Sequence, residues 1–306
     1  MKNRIAVILV IVLAALMMVL PACAEDAAAS AFKTETVAIA SGRNVDIPAI
    51  VTLPEGDGAH PAVIMMHGHG GSKDEAGMFV KVADALAAKG YLTVRFDFPG
   101  CGDSKDDFVA NNNLSTMLSD IKTVKAYLLT RKDVDAAKLG LFGYSMGGRL
   151  AVLTGAEDPD YKAICLLAPA ATNGGAGMYT FMKTDEAGFK KLMETAEKDG
   201  KVTYSTIFGY DQTLGAQWFK DMTDKALDPE AALAKITTPV LIIHGDADII
   251  VPDDAIATVK SKLTAAKSVD IAIIKGADHG YGAYSNQPDL TQGVADAAAD
   301  FFSKNL

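Results

Sequence analysis

The sequence predicts a doubly wound α/β fold built on a mostly parallel sheet. Short apolar runs alternate along the chain with amphipathic stretches, and such runs are typical of strands that helices cover on both faces. We predict strands at residues 62–66, 92–98, 138–142, 163–167, 240–243 and 269–274, preceded by a hairpin at 34–40 and 45–53. We predict helices at residues 76–88, 114–129, 146–155, 253–263 and 289–302. Strands that alternate with helices in this way favour parallel pairing.

One interval interrupts this alternation. Between the strands predicted at 163–167 and 240–243, the chain is too long for a simple crossover connection. The interval, about 170–236, contains the only tryptophan, Trp218, and many phenylalanines and tyrosines. We interpret it as a cap over the carboxyl ends of the strands. Most of its aromatic side chains are expected to form the core of the cap, and a few to line an acyl pocket.

Length and composition favour one large domain over residues 25–306. The chain has 306 residues, of which 49% are hydrophobic, and this is enough to bury a single core. Its formal net charge of −9 argues against nucleic acid as a partner. Cys101 and Cys165 fall in this domain, and the apolar neighbours of Cys165 favour a buried free thiol. We therefore predict no disulfide scaffold.

Residues 1–24 are typical of an export signal. They have a positively charged start, an apolar core over 5–20 and small residues at 22–24. The Ala-x-Ala ending suits cleavage of an ordinary signal peptide, whereas the Leu-Pro-Ala-Cys sequence that ends at Cys23 resembles a lipoprotein signal. The apolar core is short for a membrane-spanning helix. We expect an exported protein, either periplasmic or secreted, or attached to a membrane through lipidated Cys23.

The most informative motif is Gly-Tyr-Ser-Met-Gly-Gly at residues 143–148. It follows an apolar run and opens an Ala/Leu-rich helical stretch, which is the context of a Gly-x-Ser-x-Gly nucleophile elbow. The serine at such a turn needs small neighbours, because it adopts a strained backbone angle that directs its hydroxyl out of the sheet. Gly143 and Gly147 supply them. The motif predicts that Ser145 is the nucleophile of a serine hydrolase.

A serine hydroxyl needs a histidine to take its proton and a carboxylate to hold that histidine. Asp248 and His279 each follow an apolar run that we predict as a strand, so both fall beyond the carboxyl end of a strand. The chain order Ser145, Asp248, His279 is that of an α/β-hydrolase, and open α/β sheets bind ligands at this edge. Asp246 is the alternative to Asp248. The spacing His-Gly-x-x-Asp favours Asp248.

Acyl transfer also needs two backbone N–H groups that bind the developing oxyanion. We expect one from Met146, directly after the nucleophile, and the other from His69 in the Gly-rich segment 67–71. His67 and His244 precede glycines at strand ends, and we interpret them as braces for loops. No pair of His, Cys or carboxylate residues has convincing metal-ligand spacing. We predict no metal site and no cofactor.

Several core segments carry a family resemblance. They are residues 67–75, 94–104 with the pattern Arg-Phe-Asp-Phe-x-Gly-x-Gly-Asp-Ser, 143–148, 166–170 with Leu-Leu-Ala-Pro-Ala, and 276–279. Together these segments resemble bacterial cinnamoyl (feruloyl) esterases of the α/β-hydrolase fold. The resemblance implies hydrolysis of a small-molecule carboxylic ester, of hydroxycinnamoyl type, with Ser145, His279 and Asp248 as the catalytic triad.

The resemblance is weaker in the interval 170–236, where such esterases hold the phenolic ring of the hydroxycinnamate. Trp218 stands where family members can carry a tyrosine. Tyr210, Asp211 and Gln212 are further candidates for contact with the substrate. The sequence therefore leaves the acyl specificity open, whereas it predicts the hydrolysis of a carboxylic ester.

Three other functions compete with a feruloyl esterase. A broad short-chain carboxylesterase or thioesterase would use the same residues with another pocket. A serine peptidase of the prolyl-oligopeptidase type shares the motif order, but the chain lacks the length for a propeller domain. A catalytically inactive binding protein on the same scaffold is the third, and the intact Ser145, Asp248 and His279 argue against it.

Overall fold

The computed structural model describes residues 30–173, 175–285 and 287–306. The predicted export signal at 1–24, with Cys23, lies outside these residues. The strands are β1 (Thr34–Ala40), β2 (Asp46–Thr52), β3 (His60–Met66), β4 (Leu92–Phe96), β5 (Val134–Tyr144), β6 (Tyr161–Leu167), β7 (Lys201–Ser205), β8 (Asp211–Gly215), β9 (Val240–Gly245) and β10 (Val269–Ile274). The α-helices are α1 (Met78–Ala87), α2 (Phe108–Asn111), α3 (Leu114–Leu129), α4 (Met146–Glu157), α5 (Glu186–Asp199), α6 (Ala216–Thr223), α7 (Pro229–Leu233), α8 (Asp253–Lys262) and α9 (Thr291–Asn305). In this part of the chain, no helix combines the length and the apolar character that crossing a bilayer requires.

Eight strands form one sheet in the order β1-β2-β4-β3-β5-β6-β9-β10. β2 pairs antiparallel with both β1 and β4, and the remaining neighbours pair parallel. Helices connect the parallel strands, so their carboxyl ends meet at one edge of the sheet. The predicted doubly wound, mostly parallel sheet is confirmed.

The sheet carries an apolar layer on each face, because successive strand residues point to opposite faces. In β3, Ala62, Ile64 and Met66 belong to the layer that includes α3, α4 and α8. Val63 and Met65 belong to the layer formed with α1 and α9. Burial on both faces explains why β3 has an uninterrupted apolar run.

The last strand differs from the expectation of cover on both faces. β10 lies at the edge of the sheet beside β9. Ala272 and Ile274 pack against the α9 layer, whereas Ile271 and Ile273 are 37% and 49% exposed. An edge strand can carry the same apolar residues as a central strand, so the sequence pattern identified the strand but not its exposure.

Between β6 and β9 the chain forms a separate small layer. β7 and β8 pair antiparallel, and α5 packs against β7 and α6. Phe189, Trp218 and Phe219 are buried, with ring centroids 5.0 to 6.3 Å apart. These three rings form the core of the layer, which is the role expected for most aromatic residues of the interval. α7, at its end, packs instead against α4 and α8.

A buried ion pair ties the loop after β3 to the end of β4. The Nζ atom of Lys73 donates to Asp97 Oδ2 at 2.8 Å and to Asp103 Oδ2 at 2.6 Å. The Asp97 side chain is fully buried, and it also accepts the backbone N–H groups of Lys73 and Asp103 at 2.7 and 2.9 Å. One carboxylate therefore fixes both loops.

Lys73→Met is expected to lower the free energy of unfolding by about 3–5 kcal/mol, because it leaves the Asp97 carboxylate buried without its cation. Asp103→Asn is the matched control. The Asp103 side chain is 75% exposed, so its loss should cost less than about 1 kcal/mol. Urea unfolding of the three proteins at pH 7 measures the difference. Equal destabilisation by both variants would contradict this account of the ion pair.

Candidate active site

Ser145 occupies the sharp turn between β5 and α4. Its backbone angles are φ 53° and ψ −112°, and a positive φ is unfavourable for a residue with a side chain. Two hydrogen bonds to the chain at the end of β6 hold it there. The N–H of Ser145 donates to the Leu167 carbonyl at 2.9 Å, and the Ser145 carbonyl accepts the N–H of Ala170 at 3.0 Å. The strained turn that the motif predicts is present.

Gly147 lets this turn lie directly against β3. A Cβ atom at position 147 would fall 2.0 Å from the Met66 carbonyl oxygen and 2.7 Å from that of His67. No side chain fits there, so the position requires glycine. The contact brings the first turn of α4, with Met146, beside the Gly-rich segment that contains His69.

The imidazole of His279 joins Ser145 to Asp248. Its Nδ1 atom lies 2.7 Å from Asp248 Oδ2, and its Nε2 atom lies 3.0 Å from Ser145 Oγ. A carboxylate only accepts hydrogen bonds, so Nδ1 carries the proton and Nε2 presents a lone pair to the hydroxyl. The structure therefore brings together the three residues selected from the sequence, with His279 between Ser145 and Asp248.

Asp248, and not Asp246, contacts the imidazole. The second oxygen of Asp248, Oδ1, accepts the N–H groups of residues 250–251 at 2.8 and 2.9 Å, and the side chain is buried. Asp246 is exposed and accepts the N–H of Gly276 at 2.6 Å. Asp246 therefore ties the loop after β9 to the loop after β10, while Asp248 orients His279.

The backbone N–H groups of Met146 and His69 are free beside these side chains. Met146 is the first residue of α4, where a helix leaves its N–H groups without partners. Neither N–H donates a hydrogen bond to another residue in the described part of the chain. The amino end of a helix also carries partial positive charge. This place can therefore bind an oxygen that develops negative charge.

The side chain of His69 connects this region to β8. Its Nε2 atom donates to Oε1 of Gln212 at 2.8 Å, and the Tyr204 hydroxyl donates to the same oxygen at 2.5 Å. Burial lowers the pKa of His69 to about 4. The imidazole is therefore neutral near pH 7. The structure thus places Gln212, a predicted substrate residue, against a predicted oxyanion residue.

The other predicted substrate residues lie in two places. Trp218 is 1% exposed, and its ring centroid lies 5.9 Å from that of His69. Tyr210, at the turn between β7 and β8, is 48% exposed. Asp211 is exposed beside it and accepts a hydrogen bond from the Ser205 hydroxyl at 2.5 Å. Gln212 and Trp218 are therefore brought to His69, whereas Tyr210 and Asp211 lie on the surface of the hairpin.

Aromatic rings continue from His69 to the surface. The Phe181 centroid lies 5.6 Å from the His69 ring, and the Phe208 centroid lies 6.0 Å from Phe181. Phe181 is buried and Phe208 is 63% exposed. These three side chains form an aromatic path of packed rings that runs from His69 to the exposed Phe208.

A cavity of about 360 Å³ lies next to the backbone that supports Ser145 and Asp248. Its lining includes Ala170, whose N–H donates to Ser145, and residues 250–251, whose N–H groups donate to Asp248. Glu230 and Asp254 give one side of the cavity negative charge.

His67 and His244 contact neighbouring loops, as the sequence predicted. The Nδ1 atom of His67 donates to the Gly68 carbonyl at 2.7 Å, and its Nε2 atom accepts the N–H of Phe98 at 3.0 Å. The Nε2 atom of His244 lies 2.9 Å from Asp253 Oδ1. Cys101 and Cys165 are both buried free thiols, and for Cys165 this is the predicted state. Within the described residues, no three His, Cys, Asp or Glu side chains are placed to hold a metal ion.

Sequence reasoning missed two residues beside the site. Glu75 is 1% exposed, and its carboxylate accepts hydrogen bonds from the Gly68 N–H and the Tyr284 hydroxyl. Burial raises the pKa of Glu75 to about 7. Glu75 falls in the segment that resembles feruloyl esterases, but a charged residue in a polar loop gives no sign of burial. The contacts of Glu75 with Gly68 and Tyr284 can be seen only in the folded structure.

Comparison with known proteins agrees with this architecture. The family described as serine aminopeptidase, S33, matches residues 58–281. Esterase EstD of Thermotoga maritima is 24% identical over 246 residues, which cover 76% of this chain and 57% of EstD. The chain thus spans less than two thirds of the length of EstD. Human monoglyceride lipase is 24% identical over 249 residues, 76% of this chain and 80% of the lipase.

A solved structure has the same fold. Est1E of Butyrivibrio proteoclasticus with bound ferulic acid aligns with a TM-score of 0.72 at 23% identity, covering 88% of this chain and 98% of Est1E. An identity this low shows the fold alone. The predicted α/β-hydrolase fold and its resemblance to feruloyl esterases are confirmed at that level. Because the family match extends from the start of β3 past His279, the chain belongs to the serine aminopeptidase S33 family and is an α/β hydrolase.

Proposed function

We propose that the protein hydrolyses carboxylic esters through an acyl-enzyme formed on Ser145. The observation that carries this proposal is the continuous hydrogen bonding from Asp248 through His279 to Ser145. Each group has the partner that its role needs. The buried carboxylate stabilises a positively charged imidazole, and the imidazole faces the hydroxyl whose proton it must take.

The reaction has two similar halves. Ser145 Oγ attacks the ester carbonyl carbon while His279 takes the hydroxyl proton, and the carbonyl oxygen becomes an oxyanion. The intermediate then expels the alcohol, which receives the proton from His279. Water repeats the attack on the acyl-enzyme and releases the acid. The N–H groups of His69 and Met146 bind the oxyanion in both halves, and such a donor contributes about 3–4 kcal/mol in other enzymes.

A hydroxycinnamoyl ester is the substrate class that we infer for this site. The path formed by Phe181 and Phe208 leads to His69, so an acyl group with its carbonyl at the His69 N–H would lie along aromatic rings. Contacts between aromatic rings favour such a group by about 0.5–1.5 kcal/mol per pair. Est1E, the structural neighbour, binds ferulic acid.

A broader short-chain carboxylesterase or thioesterase is the second candidate. The packing of Trp218 favours it, because a ring that is only 1% exposed leaves little room beside His69 for an aromatic acid. Tyr210 and Asp211 also lie on the surface of the hairpin rather than next to His69. In this case Phe181 and Phe208 would be part of the wall above a small acyl group.

Removing the nucleophile or its orienting carboxylate should stop turnover. Ser145→Ala is expected to lower kcat by about 10⁴-fold or more, and Asp248→Asn by about 10⁴-fold, because Asn cannot hold the imidazole in the required tautomer. Asp246→Asn is the matched control on the same loop and should keep kcat within about 3-fold, since the Asn side-chain oxygen can still accept the N–H of Gly276. Hydrolysis of p-nitrophenyl acetate measures all three. Normal turnover by Ser145→Ala would overturn the proposed mechanism.

A substrate comparison separates the candidate functions. Purified protein should hydrolyse ethyl ferulate with a kcat/KM at least about 10-fold above that for an ethyl ester of a short fatty acid, a difference of about 1.4 kcal/mol. A long-chain ester and an aminoacyl p-nitroanilide complete the panel, with Ser145→Ala as the blank. Preference for the short ester would replace the feruloyl assignment by a general esterase. Preference for the anilide would indicate a peptidase.

The exposed ring of the aromatic path provides a second test of acyl specificity. Phe208→Ala is expected to raise KM for ethyl ferulate by about 3- to 10-fold through the loss of one ring contact, and to leave KM for the short ester unchanged. Phe208 is 63% exposed, so the fold should tolerate the change. Steady-state kinetics with both esters is the measurement. An equal change for the two esters would place the acyl group elsewhere.

A further inference from the structure

The Glu75 carboxylate joins two loops that reach the site from different strands. Its Oε1 atom accepts the N–H of Gly68 at 2.6 Å, in the turn after β3. Its Oε2 atom accepts the hydroxyl of Tyr284, in the loop after β10 that also carries His279. The side chain is 1% exposed. Glu75 therefore contacts the turn of the free His69 N–H and the loop of the imidazole at once.

The backbone around Glu75 is shaped to deliver the carboxylate to this place. Glu75 and Ala76 have φ angles of 43° and 48°, values that residues with side chains adopt only under constraint. A Cβ atom at Gly71 would fall 2.3 Å from Glu75 Oε1. The glycine thus leaves the space that the carboxylate fills.

The hydrogen bond to Glu75 fixes the His67–Gly68 peptide, which directly precedes the Gly68–His69 peptide that carries the candidate oxyanion donor. The Gly68 carbonyl accepts the Nδ1–H of His67 at 2.7 Å and the N–H of Gly71 at 3.2 Å. With its N–H on Glu75 and its carbonyl on these donors, Gly68 cannot rotate freely. A peptide is planar and trans, so the His69 N–H must point away from the Gly68 carbonyl.

The ionised Glu75 carboxylate lowers the stability of the folded protein, because it is buried. No cation in the described part of the chain pairs with it, and burial raises its pKa to about 7. The titratable groups that face it are His67 at 4.0 Å, Tyr284, Tyr144 and Cys101. Burial lowers the pKa of His67 to about 4 and raises those of Tyr144 and Cys101. Of Glu75, His67, Tyr144 and Cys101, only Glu75 has a pKa close to neutral pH.

The geometry points to Glu75 as a positioning residue that holds the Gly68–His69 peptide in the orientation needed to bind the oxyanion. This role rests on the proposed ester hydrolysis and adds a residue to it. Glu75 does not touch the substrate. It acts through the Gly68 N–H, and its ionised form holds that N–H more strongly, because hydrogen bonds to charged acceptors are about twice as strong as neutral ones.

Two substitutions at position 75 distinguish a positioning role of Glu75 from a purely structural role. Glu75→Gln keeps an acceptor for Gly68 and imitates the protonated acid, whereas Glu75→Ala removes the acceptor. Glu75→Ala is expected to lower kcat by roughly 10-fold with KM within about 2-fold, which is less than the loss of a whole oxyanion donor. The matched control is Asp135→Asn, since Asp135 also accepts a backbone N–H, from Ala137 at 3.0 Å near the start of β5, and should keep full activity.

The pH profile supplies a readout that a merely structural role would not give. The ratio of kcat for wild type to kcat for Glu75→Gln cancels ionisations common to both proteins. We expect a ratio near 1 at pH 5.5, where Glu75 is protonated, and about 3 or more at pH 8.5, where it is ionised.

Stability should move in the opposite direction. A folded-state pKa above the unfolded one gives stability that is present at low pH and lost as the pH rises through about 7. Relative to wild type, Glu75→Gln should therefore gain Tm between pH 5.5 and 8.5 while it loses kcat.

Labelling by a fluorophosphonate distinguishes failure of this inference from failure of the proposed function. The probe reacts with an activated serine whatever the natural ester is, and its P=O oxygen needs the same N–H groups. The expected result is rapid labelling of Ser145 in wild type and roughly 10-fold slower labelling in folded Glu75→Ala. Should that variant not fold, Glu75→Gln at pH 8.5 takes its place, with slowing of about 3-fold.

Equal labelling rates in wild type and the Glu75 variants would overturn the positioning role alone. A wild-type protein that is not labelled at Ser145 would overturn the proposed function, and this inference with it. Loss of activity that tracks only the folded fraction, with a pH-independent ratio for Glu75→Gln, would make Glu75 a structural residue and also overturn the inference.

Discussion

The close packing of the elbow between β3 and β6 is the constraint on which the site depends. Gly147 lies against the Met66 carbonyl, and backbone hydrogen bonds to Leu167 and Ala170 hold Ser145 in its strained turn. The same contacts set the nucleophile beside the turn after β3. The loops after β9 and β10 then complete the site, because parallel strands deliver their carboxyl ends to one edge. The sheet thus provides the positions, and the loops provide the chemistry.

Much of the fold and of the candidate site could be predicted from the sequence, because apolar runs and glycine patterns reflect the local conformation of the backbone. The strand at Val269–Ile274 and the helix at Leu114–Leu129 have the predicted bounds, and Asp248 was separated from Asp246 by spacing alone. The exposure of Ile273 was not predictable, since it depends on the place of β10 at the sheet edge. Glu75 was missed for a similar reason. Its burial results from a loop 209 residues away in the chain.

The polar groups around the site are held at a cost to stability. Asp97 and Glu75 are both buried carboxylates, but Asp97 has the Lys73 cation and Glu75 has only neutral donors. Burial of a carboxylate without a cation is unfavourable. The two residues therefore differ in their effect on stability. Asp97 secures the loops as part of the fold. Glu75 belongs to the class of locally unfavourable groups that accompany function.

The layer between β6 and β9 leaves and re-enters the sheet at neighbouring strands, because β6 and β9 pair directly. Its two ends are therefore close together, and its length is not set by any distance that it must bridge. A change in the length of this layer therefore does not require a change in the pairing of β6 with β9. Under the function proposed above, substrate preference can change in evolution through this layer while Ser145, Asp248 and His279 keep their places at the sheet edge.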